Sequence, residues 1–271
     1  MSRLFLNSGL AKKYRQLQQA FLQHKEVAIA FSGGVDSSFL LYAACATLGR
    51  SAVHAFHAMS ELQPPMEIAR VDLAIQEWGC FFHPIEIKPF SWHKFVANGP
   101  DRCYHCKKKI YQTFLADPSF PVEAVLFDGT NHDDLGQDRP GLRAVAELQV
   151  QTPLAGVGFT KKEIRALSKE FSLSSWDAYS SSCLATRIAQ GEPLTREKIL
   201  LAAKGEALLQ KIGFMGVRVC LSKETATIAV LQKDLPELQK KCVFSAIKDD
   251  LMSLGLRGVV LDLQGRPDWM G

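Results

Sequence analysis

Glu26-Val-Ala-Ile-Ala-Phe-Ser-Gly-Gly-Val-Asp-Ser-Ser38 joins a short apolar run, a glycine turn and the start of a helix. The run from Glu26 to Phe31 reads as a buried strand, and a helix is expected from Ser37 to Leu48, with Gly49 as its stop. Gly33 and Gly34 let the backbone turn tightly and come close to a ligand. The hydroxyls of Ser32, Ser37 and Ser38 can donate, and the amides of the following helix N-terminus point at an anion. A loop of this kind holds phosphate. It lacks the lysine of a GxxxxGKS/T loop and does not fit GxGxxG, so neither a Walker-type NTPase nor a dinucleotide fold is favoured.

Outward from this loop the chain alternates. A helix at Leu10 to Lys25 precedes the strand. After it come a strand at Ala52 to Ala58, a helix at Pro65 to Gly79, a strand at Phe81 to Ile87, a cysteine-bearing helix around Cys106 to Ala116, and a buried strand at Ala124 to Asp128. Such alternation implies an α/β fold with a parallel sheet covered on both faces. Ligands of open α/β sheets bind beyond the carboxyl ends of the strands, so Asp128 to Asp134 should face the site opened by Ser32 to Ser38. A helix from Lys161 to Phe171 and a serine-rich loop, Ser180 to Cys183, follow.

From about Pro193 the pattern changes. A long helix (Thr195 to Ile212) precedes short strands around Val217 to Leu221 and Thr225 to Leu231, a helical stretch to Leu254 and a last strand at Gly258 to Leu263. The expectation is a large domain over residues 1–190 and a smaller α/β domain over 191–271, which a chain of 271 residues can accommodate.

Composition sets bounds on the function. With 47% apolar and 22% charged residues the chain has the make-up of a packed globular enzyme, not of a disordered or membrane protein. The formal charge of +4 and a pI near 8.6 permit phosphate-bearing substrates. Lysines and arginines are dispersed, and the longest basic run, Lys107-Lys108-Lys109, is equally a solvated helix face, so nucleic acid is not indicated. No apolar stretch in Met1 to Lys13 suits a signal peptide, and no window approaches the roughly 20 residues of a membrane span. A cytoplasmic protein is expected, in which seven cysteines point to metal, redox or nucleophile roles instead of a disulfide framework.

Arg102-Cys-Tyr-His-Cys-Lys107 contains a CxxC, and Ser182-Cys-Leu-Ala-Thr-Arg187 supplies a third cysteine beside hydroxyls and an arginine. Three converging thiolates can hold three irons of a 4Fe-4S cluster and leave the fourth iron open for an extra sulfide, or bind zinc with a fourth ligand. A CxxC alone is compatible with a redox pair or with two packed cysteines, and Cys183 alone with a consumable or persulfide-carrying thiol. Cys45, Cys80 and Cys242 read as core thiols.

Taken singly, Ser-Gly-Gly-x-Asp-Ser is similar to the pyrophosphate loop (PP-loop) of the adenine nucleotide alpha-hydrolase superfamily. Combined with the two cysteine motifs, Asp128-Gly-Thr-Asn-His-Asp-Asp-Leu135 and Arg139-Pro-Gly-Leu-Arg143, it closely resembles the LarE family from about residue 10 to the C-terminus. The resemblance implies a PP-loop ATP-pyrophosphatase domain followed by a small substrate-binding and oligomerisation domain. It also implies an ATP- and Mg2+-dependent sulfur transferase of nickel-pincer nucleotide synthesis, working as a homo-oligomer on a small nucleotide substrate, pyridinium-3,5-dicarboxylate mononucleotide. Asp36 would be the magnesium or pyrophosphate-side residue. Ser32, Gly33, Gly34, Ser37, Ser38, Lys107, Gly129 and Arg143 would bind ATP, and Arg139 is a further candidate for phosphate.

Some members of the family sacrifice the sulfur of the cysteine matching Cys183. Others carry a 4Fe-4S cluster on three cysteines, here Cys103, Cys106 and Cys183. Arg187, Glu206 and Arg218 match substrate-binding positions, the lesser alternative for Glu206 and Arg218 being an ion pair between domains. The family's Val-Arg-Val-Arg strand reads Val217-Arg-Val-Cys220 here, so one phosphate-binding fork is lost. The competing readings are a tRNA sulfurtransferase, which should carry an RNA-binding domain or a concentrated basic surface, and a non-catalytic nucleotide-binding module.

Overall fold

The computed structural model describes residues 9–179 and 182–267. The first half of the chain runs α1 (Gly9–Phe21), β1 (Val27–Ala30), α2 (Val35–Leu48), β2 (Val53–Met59), α3 (Pro65–Trp78), β3 (Phe81–Glu86), α4 (His93–Val96), α5 (Arg102–Leu115) and β4 (Val125–Asp128). Then come α6 (His132–Leu135), α7 (Gly141–Glu147), α8 (Pro153–Val157), α9 (Lys161–Glu170), α10 (Arg196–Lys211), β5 (Arg218–Ser222), β6 (Thr225–Ala229), α11 (Leu235–Leu238), α12 (Lys241–Ser253) and β7 (Gly258–Leu261). Two compact units emerge. The first gathers residues 1–61, 65–88 and 101–178, and the second gathers 62–64, 89–100 and 179–271.

In the first unit four parallel strands lie in the order β3-β2-β1-β4. β1 is central because its four residues, Val-Ala-Ile-Ala, carry no polar group that needs water. Its side chains alternate between faces. Val27 and Ile29 join the core formed with Tyr14, Leu17 and Phe21 of α1, Phe39 to Leu41 of α2, and Ile164 and Leu167 of α9. Ala28 joins Phe56, Tyr111, Phe114 and Leu126 in the other core. The amphipathic α1 buries Ala11, Tyr14, Leu17 and Phe21 at helical spacing. By contrast α2 is apolar nearly all round and is buried accordingly. β3 is an edge strand, where Pro84 is tolerated because a ladder donor is not needed on the open side.

Most strands lie within a residue or two of expectation, while several helix ends differ. α1 stops at Phe21, where a turn closes through the His24 amide and the Phe21 carbonyl (3.0 Å), instead of reaching Lys25. The cysteine-bearing helix begins at Arg102, four residues before Cys106, so that both cysteines of the CxxC lie within it. α6, α7 and α8 were not anticipated, because four to seven residues show too little periodicity to be read. In the serine-rich loop, Ser180 and Ser181 fall outside the described residues, as does the side chain of Cys242.

The second unit holds a three-stranded sheet in the order β5-β6-β7, antiparallel between β5 and β6 and parallel between β6 and β7. Asn98 fastens its distant segments together. Fully buried with φ of 53°, it donates through its side-chain amide to the carbonyls of Ala189 and Glu192 (both 2.8 Å) and accepts from the Gly191 amide (2.9 Å). The Leu194 amide to Val96 carbonyl bond (2.9 Å) continues the seam.

Phe127 is fully buried against Phe21, with ring centroids 5.7 Å apart. Phe127→Ala should therefore cost about 3–5 kcal/mol in urea unfolding of the first unit. A loss under about 1 kcal/mol would contradict this packing.

Candidate functional site

At the carboxyl end of β1 the chain turns through Ser32 to Gly34 into α2. Gly33 takes φ of 77°, and a Cβ there would stand 2.7 Å from Val71 Cγ2, so only glycine fits. The serines shape the loop internally: Ser32 Oγ and Ser37 Oγ are 3.0 Å apart, and the Gly34 amide donates to Ser32 Oγ (3.3 Å). The first intrahelical bond of α2 runs from the Ser38 amide to the Gly34 carbonyl (2.9 Å), so the amides of Val35, Asp36 and Ser37 precede the helix's own ladder. Gly129, just past β4, lies against this turn, and a Cβ on it would come 3.0 Å from the Ser37 nitrogen. The expectation that Asp128 to Asp134 faces the loop is met at this contact.

Two carboxylates stand at this edge, each with a lysine. Asp36 is ion-paired to Lys161 at the start of α9. Its other oxygen, Oδ1, is buried with no hydrogen-bond partner, and so is Ser38 Oγ. Burial holds the Asp36 carboxyl above the usual carboxylate range, more strongly than Lys161 pulls it down. Asp128, level with Ala30 in the sheet register, accepts from the Thr130 amide (2.7 Å), the Thr130 hydroxyl and the Tyr111 hydroxyl, and pairs with Lys107 at 3.0 Å. Burial would raise it, but Lys107 and these donors outweigh burial and leave it below its ordinary value. Asp134 caps α6 and pairs with Arg139 at 2.9 Å.

Cys103 and Cys106 lie one turn apart on α5, the first exposed and the second partly so, which places both on one helix face. Arg143, expected at the nucleotide, bonds Asp101 (2.5 Å) and lies over the Tyr104 ring at 4.5 Å. It is thereby held beside the CxxC turn. Cys183, in the second unit, is partly exposed and precedes a single 3-10 turn, Leu184–Arg187. Among the described residues no three His, Cys, Asp or Glu side chains gather into a metal-binding group. Cys45 and Cys80, read as core thiols, pack against the core of the first unit.

In the second unit Arg187 is 3% exposed, with its fork committed: Nε and Nη2 reach Glu206, and Nη1 reaches Ser182 Oγ and Thr186 Oγ1, both at 2.8 Å. Glu206 also accepts from the Val219 amide at 3.1 Å. Two more guanidinium groups share this neighbourhood. Arg218 and Arg266 are lowered first by burial and then by the like charges around them, Arg266 to about 10. Burial pushes the Cys220 thiol up against the pull of the same arginines. Three guanidinium groups thus gather about one glutamate, an excess of positive charge suited to an anion. Arg266 was not singled out in the sequence, because nothing local marks it. Its partners lie some fifty residues away, as in its bond to the Gly216 carbonyl.

A four-stranded parallel sheet flanked by helices, with this loop at the end of its central strand, defines an α/β domain of the PP-loop type. A scan of protein-family models finds none that matches. The chain is 32% identical over 259 residues to the pyridinium-3,5-bisthiocarboxylic acid mononucleotide synthase of Lactiplantibacillus plantarum, covering 94% of this chain and 92% of that protein. It is 30% identical over 256 residues to an uncharacterized protein of Synechocystis sp. (94% and 95% covered) and 28% identical over 264 residues to one of Methanocaldococcus jannaschii (94% and 96%). The chain belongs to the family of that synthase, the LarE family. No helix among the described residues is long and apolar enough to cross a membrane.

Lys107→Met removes the cation from a buried carboxylate and should cost about 1.5–3 kcal/mol at neutral pH. Because the folded pKa of Asp128 is depressed, its stabilisation is present above the unfolded value of about 3.9 and is lost as pH falls through the folded value. The gap between wild type and variant should accordingly narrow below about pH 4 in thermal melts, and a pH-independent gap would remove Lys107 from that role.

Proposed function

We propose that this protein is an ATP-dependent sulfur transferase of nickel-pincer nucleotide synthesis, acting in the cytoplasm on pyridinium-3,5-dicarboxylate mononucleotide. The observation that carries the reading is the glycine–serine loop itself, where the amides of Val35 to Ser37 precede the ladder of a helix whose first turns hold a buried, half-satisfied Asp36 and a partnerless Ser38 hydroxyl. Buried polar groups ordinarily have partners, so two without one at an anion-shaped turn suit a bound magnesium pyrophosphate group. The name of the relative in Lactiplantibacillus plantarum supplies the substrate class.

A carboxylate resists nucleophiles because its charge and resonance oppose attack. In the reaction a carboxylate oxygen of the pyridinium substrate forms a bond to the α-phosphorus of ATP, and the α–β bridging bond breaks with its electron pair leaving on pyrophosphate. A sulfur nucleophile then adds to the acyl carbon, AMP departs, and a thiocarboxylate remains. Ser32, Gly33, Gly34, Ser37 and Ser38 hold the pyrophosphate side with Gly129 against their turn, Asp36 would hold Mg2+, and Lys107 and Arg143 reach the nucleotide only by leaving Asp128 and Asp101. Arg187 and Glu206 brace each other, and Arg218 stands beside them as the substrate-phosphate residue that the family resemblance names, with Arg266 close to it. Arg266 thereby supplies a guanidinium near Cys220, where the family's second arginine is missing. Cys103, Cys106 and Cys183 would hold the 4Fe-4S cluster, which supplies sulfide when bound.

Metal and sulfide content of anaerobically reconstituted protein, with its absorption spectrum, tests the sulfur source. Iron and sulfide lost in Cys183→Ala would support the cluster, whereas an active iron-free protein whose Cys183 becomes dehydroalanine on turnover would replace it with a consumed cysteine. Asp36→Ala should reduce pyrophosphate release to background with unchanged circular dichroism, and unchanged release would remove the loop from catalysis. Arg218→Ala should raise KM for the pyridinium mononucleotide at least tenfold while leaving that for ATP within about twofold, the scale expected for one charge-assisted bond. Equal changes for both would exclude it from substrate recognition.

A further inference from the structure

The turn at the end of β1 is held from behind by a side chain of the neighbouring strand. Ala30 and Phe56 are the last residues paired between β1 and β2, and the Phe31 amide then donates to the Phe56 carbonyl (2.9 Å). The next bond toward the loop comes from His57 of β2, whose ring nitrogen Nδ1 lies 2.8 Å from the Phe31 carbonyl oxygen. A carbonyl only accepts, so Nδ1 carries the hydrogen. The His57 ring is buried and packs against those of Phe31 and Phe82, with centroids 6.3 and 6.1 Å away. Packing alone does not ask for a histidine there. An apolar side chain would fill the space without desolvating a polar ring, so the bond to Phe31 is what the imidazole adds.

That bond reaches the loop through one peptide group. The Phe31 carbonyl and the Ser32 amide belong to the same planar unit. His57 holds its oxygen, and its N–H donates to Ser37 Oγ at 3.2 Å. Ser37 Oγ in turn donates to the Gly34 carbonyl at 3.1 Å. A continuous run of hydrogen bonds thus leads from a buried ring of β2 to the glycine turn. We propose that His57 is a positioning residue of the glycine–serine loop, setting the tilt of the Phe31–Ser32 peptide and with it the direction of the amides that receive the nucleotide's phosphates. This rests on the reading of the loop as an ATP site. His57 acts through Phe31, Ser32 and Ser37. Without its hydrogen the Phe31 oxygen loses a donor, the peptide can rotate, and the Ser32 N–H turns off Ser37. Donors that must first be reoriented stabilise an anion less than donors already in place.

Calorimetric titration of the full-length protein with magnesium pyrophosphate tests this without turnover. His57→Asn keeps an N–H close to the place of Nδ1 and should bind as wild type does. His57→Leu fills the space but loses the donor, and should bind about tenfold more weakly, the scale of one hydrogen bond. ATP should follow the same order, whereas the pyridinium mononucleotide should bind all three proteins alike. Equal affinities of wild type and His57→Leu for magnesium pyrophosphate, with only thermal stability reduced, would overturn the role of His57 and leave the ATP site standing. A second measurement does not depend on His57→Leu folding. In the nitrogen-15 spectrum of wild type, the His57 ring, assigned by its absence from His57→Asn, should carry hydrogen on Nδ1. A ring with hydrogen on Nε2 alone would overturn the proposal. A wild type that binds neither ATP nor magnesium pyrophosphate would overturn the reading of the loop and this role with it.

Discussion

Burial of α2 on nearly all sides is the constraint on which the site depends. Phe39, Leu40 and Leu41 are fully buried, so the helix can neither roll nor slide without opening a cavity in the core. Its N-terminal amides are therefore fixed at the edge of the sheet before any ligand is present. Gly129 on one side and Gly33 on the other are contacts that no side chain could occupy without shifting the turn. Donors that need no rearrangement are the ones that stabilise developing charge most effectively.

The two carboxylates at this edge show how number of donors, more than burial, separates a closed site from an open one. Both lie in poorly solvated surroundings and each has one lysine. Asp128 also takes hydrogen bonds from Thr130 and Tyr111, so its charged form is favoured and its coordination is complete. Asp36 lacks such support, keeps an oxygen without a partner and is driven toward the protonated form. Asp128 accordingly braces β4 against α5, whereas Asp36 keeps one oxygen uncommitted.

Much of this was legible in the chain because it is local. The apolar run before Ser32, the glycines after it and the alternation of strands and helices are short-range patterns whose physics is repeated in every parallel sheet. What could not be read depends on long-range partners. Lys161 looks like one more surface lysine until the fold sets it beside Asp36. Arg187 reads as a free phosphate fork until its fork is found committed to Glu206, Ser182 and Thr186. Arg143 similarly spends its charge on Asp101 and Tyr104 beside the CxxC turn.

The interleaved path of the chain bears on how the protein can be taken apart. Because Asn98 ties residues 89–100 to the turn at Ala189 to Glu192, the second unit is not a contiguous tail. A fragment beginning at residue 179 would leave three main-chain groups of that turn without their partners, and no single cut in the gene can release both units whole. Fusion partners, truncations and swaps between relatives have to respect a seam that crosses the sequence more than once, and the two units are bound to be inherited together.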